Sequence, residues 1–279
     1  MKDLVARGFS ALIFVPTVLL CIWYSQISLF ILFGLFNIIG LRELQKITLQ
    51  IPNNTPNKLR TERVVSIIIG CIIYTILGLH GNCLIEDHWL SLILPLLFIF
   101  FIRALITDPP NQFGRTATNT LGIIWITIPF ALTNYIANFN CEFDPRILMC
   151  IFFLGWSYDS GAYCFGRLFG KTKLAPTISP NKTWEGAAGG IFAALFVSYL
   201  ISIVFTGIYP LKYWMIIGII VAIFGTLGDL IESLLKRNAG VKDSGNFMPG
   251  HGGILDRFDS LIFIVPFVYV FMYLLENLN

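Results

Sequence analysis

Residues 213–232 read YWMIIGIIVAIFGTLGDLIE, twenty residues in which only Asp229 and Glu232 carry charge. A helix needs about 20 apolar residues to cross the hydrocarbon core of a bilayer, so this run has the length and composition of a membrane span. The rest of the chain is of the same kind. Of its 279 residues, 56% are hydrophobic and 13% charged, where a soluble domain carries about a quarter charged. The mean hydropathy is +0.76. The fold class expected is an all-α polytopic membrane protein.

Nine segments have the apolarity of spans, near 9–25, 27–42, 63–80, 89–106, 118–137, 147–166, 185–205, 213–232 and 258–275. The second is short, so 9–42 also reads as a tight helical hairpin. The first run follows Met-Lys-Asp-Leu-Val-Ala-Arg, as a signal peptide would. No small-residue cleavage site follows it, and a second apolar run begins at once, so it reads as a retained span. No repeat or low-complexity stretch stands out. The expectation is one integral membrane domain over 1–279, with 1–140 legible by hydropathy alone and 147–279 carrying the catalytic helices and cytoplasmic loops.

Positive charge sets the expected orientation. With nine spans and the N-terminus in the cytoplasm, all but Arg146 and Lys212 of the 19 Lys and Arg residues fall on the cytoplasmic side. One span more or fewer in the middle would scramble that asymmetry. The net charge of +3 is too small to point to a nucleic-acid partner. The six cysteines, Cys21, Cys71, Cys83, Cys141, Cys150 and Cys164, have no metal-site or redox spacing. Cys83 and Cys141 fall in loops, where a bridge between them is open; the other four lie in apolar runs.

Two cytoplasmic loops are rich in Gly, Pro, Ser, Lys and Asn, and each follows a span that contains a carboxylate. Asp159 interrupts the sixth span in GWSYDSGAY (155–163), and Asp229 interrupts the eighth, with Glu232 one turn later. A charge at mid-bilayer costs at least about 2.5–3.5 kcal/mol, so it persists where it meets a cavity, a partner or an ion. Pairing with Lys236, Arg237 or Arg257 is the plain structural alternative. Asp256 and Asp259 open the ninth span at a spacing that puts both on one helix face. Helix-end charging accounts for one of them. Two, beside the other intramembrane acids, point to a hard divalent cation bound through oxygen ligands.

The loop that leads to them reads SLLKRNAGVKDSGNFMPGHGGILDRFD (233–259). Lys236, Arg237 and Lys242 supply charge for phosphate. Gly250, Gly252 and Gly253 let backbone approach a ligand, although any tight turn also needs glycine. His251 reads as a loop-shaping or substrate hydrogen-bonding residue in preference to a metal ligand, because the neighbouring acids suit a hard ion. The other loop holds SPNKTWEG (179–186), in which Ser179, Lys182 and Thr183 stand just before the seventh span, at a helix N-terminus that suits an anion. An N-cap plus an interfacial Lys is the plain alternative there. Gly186 and Gly190 form a small-xxx-small pair, which more often reports close helix packing than chemistry. No GxxxxGK[ST] or strand-linked GxGxxG loop is present.

The run 233–259 resembles the signature of the phosphatidate cytidylyltransferases, also called CDP-diacylglycerol synthases. Their pattern of Ser, Lys-Arg, Lys-Asp, Pro-x-His-Gly-Gly and Asp-Arg-x-Asp is met by Ser233, Lys236, Arg237, Lys242, Asp243, Pro249, His251, Gly252, Gly253, Asp256, Arg257 and Asp259. Ser179 through Gly186 is similar to the family's second motif. The specific resemblance covers about the last 120 residues.

The resemblance implies transfer of CMP from CTP to phosphatidate, giving CDP-diacylglycerol and pyrophosphate. It implies Mg2+, with a second cation open, held by Asp159, Asp229, Asp256 and Asp259. Lys182, Lys236, Arg237, Lys242 and Arg257 would act on the phosphates as catalytic groups. Ser179, Asn181, Thr183, Glu185, Ser233, His251, Gly252 and Gly253 would bind substrate. A site facing the cytoplasm in a bacterial inner (plasma) membrane follows, with CTP, bilayer phosphatidate and membrane lipids as partners and a homodimer suggested by the family. Two other readings compete. One is a CTP-dependent cytidylyltransferase or kinase acting on another lipid phosphate or lipid alcohol. The other is an ion-coupled transporter, which one-sided polar loops and the lack of an inverted repeat disfavour.

Overall fold

A computed structural model describes residues 2–49, 57–106, 112–245, 247 and 252–277. The helices are α1 (Lys2–Tyr24), α2 (Gln26–Leu49), α3 (Asn57–Gly81), α4 (Ile93–Ile106), α5 (Gln112–Gly122), α6 (Ile128–Ala137), α7 (Pro145–Phe169), α8 (Trp184–Val204), α9 (Leu211–Asn238) and α10 (Leu255–Asn277). A π-helical segment, Ile123–Thr127, joins α5 to α6. Strands β1 (Lys173–Ala175) and β2 (Ser179–Thr183) pair antiparallel, with Lys173 opposite Thr183 and Ala175 opposite Ser179.

The protein is an all-α polytopic membrane protein, as expected. In lipid a helix satisfies its own backbone hydrogen bonds, which an isolated strand cannot. Among the described residues, seven helices are long and apolar enough to cross a membrane. The nine expected segments all fall on helices, but two fall short of that measure. In α1 the side chains are described from Leu12 onward, and the stretch Leu12–Tyr24 is apolar but shorter than a span. In α7, the stretch from Gly155 to Gly161 brings in Ser157, Asp159 and Ser160, which dilute its apolarity.

By its packing the chain divides into two compact units. Unit 1 is Met1–Asp144 with Asn238–Arg257, and unit 2 is Pro145–Arg237 with Phe258–Asn279. In unit 1, α2 packs against α3 and α6, with Ile69, Ile73, Phe100 and Ile123 forming a buried cluster. In lipid no hydrophobic force draws helices together, so van der Waals packing and interhelical hydrogen bonds hold them. Thr127 Oγ1 donates to Asn37 Oδ1 at 2.8 Å, Tyr74 OH donates to the Phe30 carbonyl at 2.7 Å, and Asn138 Nδ2 donates to Asn82 Oδ1 at 2.6 Å. Cys83 and Cys141, the pair left open above, form a disulfide that ties the end of α3 to the turn after α6.

In unit 2, α7 lies along α8 in close contact. Gly186 and Gly190 are buried in that contact, the packing role read for them above. A Cβ on Gly190 would run into the Tyr158 ring and the Tyr158 carbonyl. Tyr158, Ala194 and Ala222 carry the contact on to α9.

Candidate active site

Three of the four expected metal acids meet in unit 2, each from a different helix. Asp159 comes from α7, Asp229 from α9 and Asp259 from α10. Asp159 and Asp229 both lie within electrostatic reach of Asp259. Gly228 is the local reason. It is buried, and a Cβ there would collide with the Asp259 carbonyl, so its lack of a side chain lets α10 come up beside Asp229. The Asp259 carboxylate also accepts the Ser260 N–H at 2.7 Å.

Cations from both polar segments answer these acids. Lys182, carried on β2, places Nζ 2.6 Å from Asp229 Oδ2, with both side chains partly exposed. Ser233 Oγ donates to Asp229 Oδ1 at 3.2 Å. One turn on, Lys236 pairs with the buried Glu232 and lies within electrostatic reach of Asp259. The β1–β2 hairpin is what brings Lys182 in, because strand pairing turns a loop into an arm of fixed length. Arg237 Nε, although exposed, donates to the Ile178 carbonyl in the hairpin turn at 3.5 Å.

Other expected substrate residues have local structural partners. Thr183 is buried and extended, and its hydroxyl accepts the Gly186 N–H at 3.1 Å, so it caps α8. Glu185 accepts the backbone N–H groups of Lys171 and Thr172, each at 3.1 Å, closing the base of the hairpin. Asn181 is exposed and Ser179 half-buried.

In unit 1 the signature loop is organised around carboxylates. Asp256 Oδ2 accepts the Ser244 N–H at 2.8 Å, the Ser244 hydroxyl at 2.9 Å and the Gly253 N–H at 2.7 Å. Gly252 has φ +85, a left-handed conformation that favours glycine, and a Cβ on it would strike the Asp256 carboxylate. Gly253 approaches Glu43 as closely. The room these two glycines leave is thus filled by the protein's own acids. Asp256 and Asp259 were both expected among the metal acids, with the number of ions open; the hydrogen bonds described for Asp256 go to the loop, and Asp259 lies within electrostatic reach of Asp159 and Asp229. Lys242 and Arg257 are exposed. His251 lies outside the described residues.

Glu43 has no counterpart in the sequence reading. It sits just past the expected second span between Arg42 and Lys46, where an acid looks like ordinary interfacial charge. Its burial is the one signal against that, and burial is invisible in a single sequence. Among the described residues, no three acids, histidines or cysteines close tightly enough on one point to hold a metal ion as they stand.

Residues 5–275 match the model of the cytidylyltransferase family. Two similar proteins carry the name phosphatidate cytidylyltransferase. The one from Bacillus subtilis (strain 168) is 46% identical over 157 residues, covering 56% of this chain and 58% of that protein. The one from Staphylococcus saprophyticus is 40% identical over 190 residues, covering 67% of this chain and 71% of that protein. The matched stretch thus spans little more than half of the Bacillus protein. The family match covers nearly the whole chain, and both polar motifs and the four expected metal acids lie within it: the chain belongs to the cytidylyltransferase family.

Proposed function

We propose that this chain is an enzyme that transfers CMP from CTP to phosphatidate, forming CDP-diacylglycerol and pyrophosphate at the cytoplasmic face of a bacterial inner membrane. The observation that carries the reading is the meeting of Asp159, Asp229 and Asp259, from three helices, with Lys182 and Lys236 among them. One substrate would be a membrane lipid and the other a soluble polyanion. A group of acids set in membrane helices, fed by a polar hairpin that carries lysine, suits that combination.

The donor set fits Mg2+, because it is made of carboxylate oxygens, the ligands a hard divalent ion takes. Asp159, Asp229 and Asp259 would hold it. The ion would neutralise charge on the triphosphate and polarise the α-phosphoryl group. Lys182 and Lys236 would bind triphosphate oxygens, Lys182 exchanging part of its contact with Asp229 for phosphate. Lys242, Arg237 and Arg257 would meet the pyrophosphate and the lipid headgroup. Asp256, whose Oδ2 already accepts three hydrogen bonds, would hold the signature loop. Phosphoryl transfer depends mainly on positioning and charge. The phosphate monoester of phosphatidate is itself an anionic nucleophile at neutral pH, so no residue need act as a general base.

The test is pyrophosphate release by purified protein given CTP, phosphatidate and Mg2+. Release that needs all three supports the proposal. Release from CTP without phosphatidate, or none with any lipid phosphate, contradicts it.

A further inference from the structure

Glu43 has none of the roles assigned above, and every hydrogen bond described for it goes to the signature loop. It is 7% exposed. Oε1 accepts the Ile254 N–H at 3.1 Å, and Oε2 accepts the Leu255 N–H at 2.9 Å and the Ser244 hydroxyl at 3.1 Å. Leu255 is the first residue of α10. These amides therefore belong to the end of a helix whose own turns leave N–H groups unsatisfied, where positive dipole charge gathers. A buried carboxylate is costly unless hydrogen-bonded, and this loop supplies the bonds.

The glycines point the same way. A Cβ on Gly245 or on Gly253 would run into the Glu43 carboxylate. At these two points the backbone approaches Glu43 to a distance that only glycine allows. The link continues through Ser244, whose hydroxyl lies within hydrogen-bond distance of both Glu43 Oε2 and Asp256 Oδ2. Hydroxyl, amides and carboxylates form one web, and Asp256 hangs from it.

We infer that Glu43 is a positioning residue for the transfer reaction, an internal anion that caps α10 and against which Ser244, Gly245 and Gly253 through Leu255 are held. Through Ser244 it fixes Asp256 and the start of the helix that carries Asp259. The inference rests on the reading of the chain as a lipid cytidylyltransferase.

Glu43→Gln in the full-length protein tests it, because the side chain keeps its size but loses one acceptor oxygen and its charge. We expect unchanged helical content and melting midpoint and little change in KM for CTP. We also expect faster exchange of the Ile254 and Leu255 amides, and kcat lower by about 10- to 100-fold, the range for residues that orient active-site ligands. Adding Ser244→Ala should cost little more. Wild-type kcat in Glu43→Gln, or a lowered midpoint with normal kcat per folded molecule, overturns the positioning role. Amide exchange is read without substrate, which separates the two claims. Protected amides in a wild-type protein that transfers no CMP overturn the functional reading alone. CMP transfer with unprotected amides overturns the role of Glu43 alone.

Discussion

Asp256 and Asp259 are three residues apart, yet their partners call for different responses to the same substitution. Asp259 faces Asp229 and Asp159, so Asp259→Asn removes charge that a divalent ion would answer. Its activity is expected to fall by at least about 100-fold, the scale for losing a group that stabilises transition-state charge, with a raised Mg2+ requirement in whatever remains. Asp256→Asn removes an acceptor from three loop hydrogen bonds. Activity is expected to fall there too, but with the Mg2+ dependence of the residual rate unchanged. Mg2+ titrations of initial rate separate the two, and identical titration curves would show that both acids do the same work. Asp159 and Asp229 were legible because an acid inside an apolar run is conspicuous. Glu43 was not, because Arg42 and Lys46 beside it make it look solvated. Gly253 was read as room for a ligand, since a sequence shows that backbone must come close to something but not to what.

Close packing decides what the helices can place. Gly190 stands where α8 meets Tyr158 of α7, one residue before Asp159. Gly190→Leu is expected to destabilise the protein by about 1–3 kcal/mol, the usual cost of overpacking, and to lower activity as Asp159 is displaced. Thermal melts in detergent with parallel rate measurements check this, and an unchanged melt would mean that the helices part easily. Thr183→Ala removes the cap of α8 and is expected to cost about 0.5–2 kcal/mol, seen as a lower melting midpoint. Spans and the Gly186–Gly190 packing face could be read from sequence, because apolar length and small-residue spacing are local. The β1–β2 hairpin could not. Its strands are three and five residues long, and their pairing depends on contacts such as Glu185 with Lys171 and Thr172.

For the whole chain, hydropathy locates spans but not which spans pack together. The division into two units, with the signature loop in the unit of the first 144 residues, was therefore not visible in sequence. Positive charge does bear on orientation. In the proposed orientation, with the basic loops in the cytoplasm, Cys83 and Cys141 would lie on the opposite, oxidising side, where disulfides persist. A membrane-impermeant thiol reagent applied to intact cells after reduction is expected to label both, while a cysteine placed at Asn181 stays unlabelled; labelling at position 181 would reverse the topology. In the proposed reaction CMP, and not the terminal phosphate, moves from CTP to the lipid. The most direct measurement uses CTP labelled at either the α- or the γ-phosphorus, with phosphatidate and Mg2+. Transfer of CMP puts the α-label in the lipid product and the γ-label in pyrophosphate. The γ-label in the lipid, with CDP left in solution, would contradict it and mark the protein as a CTP-dependent kinase.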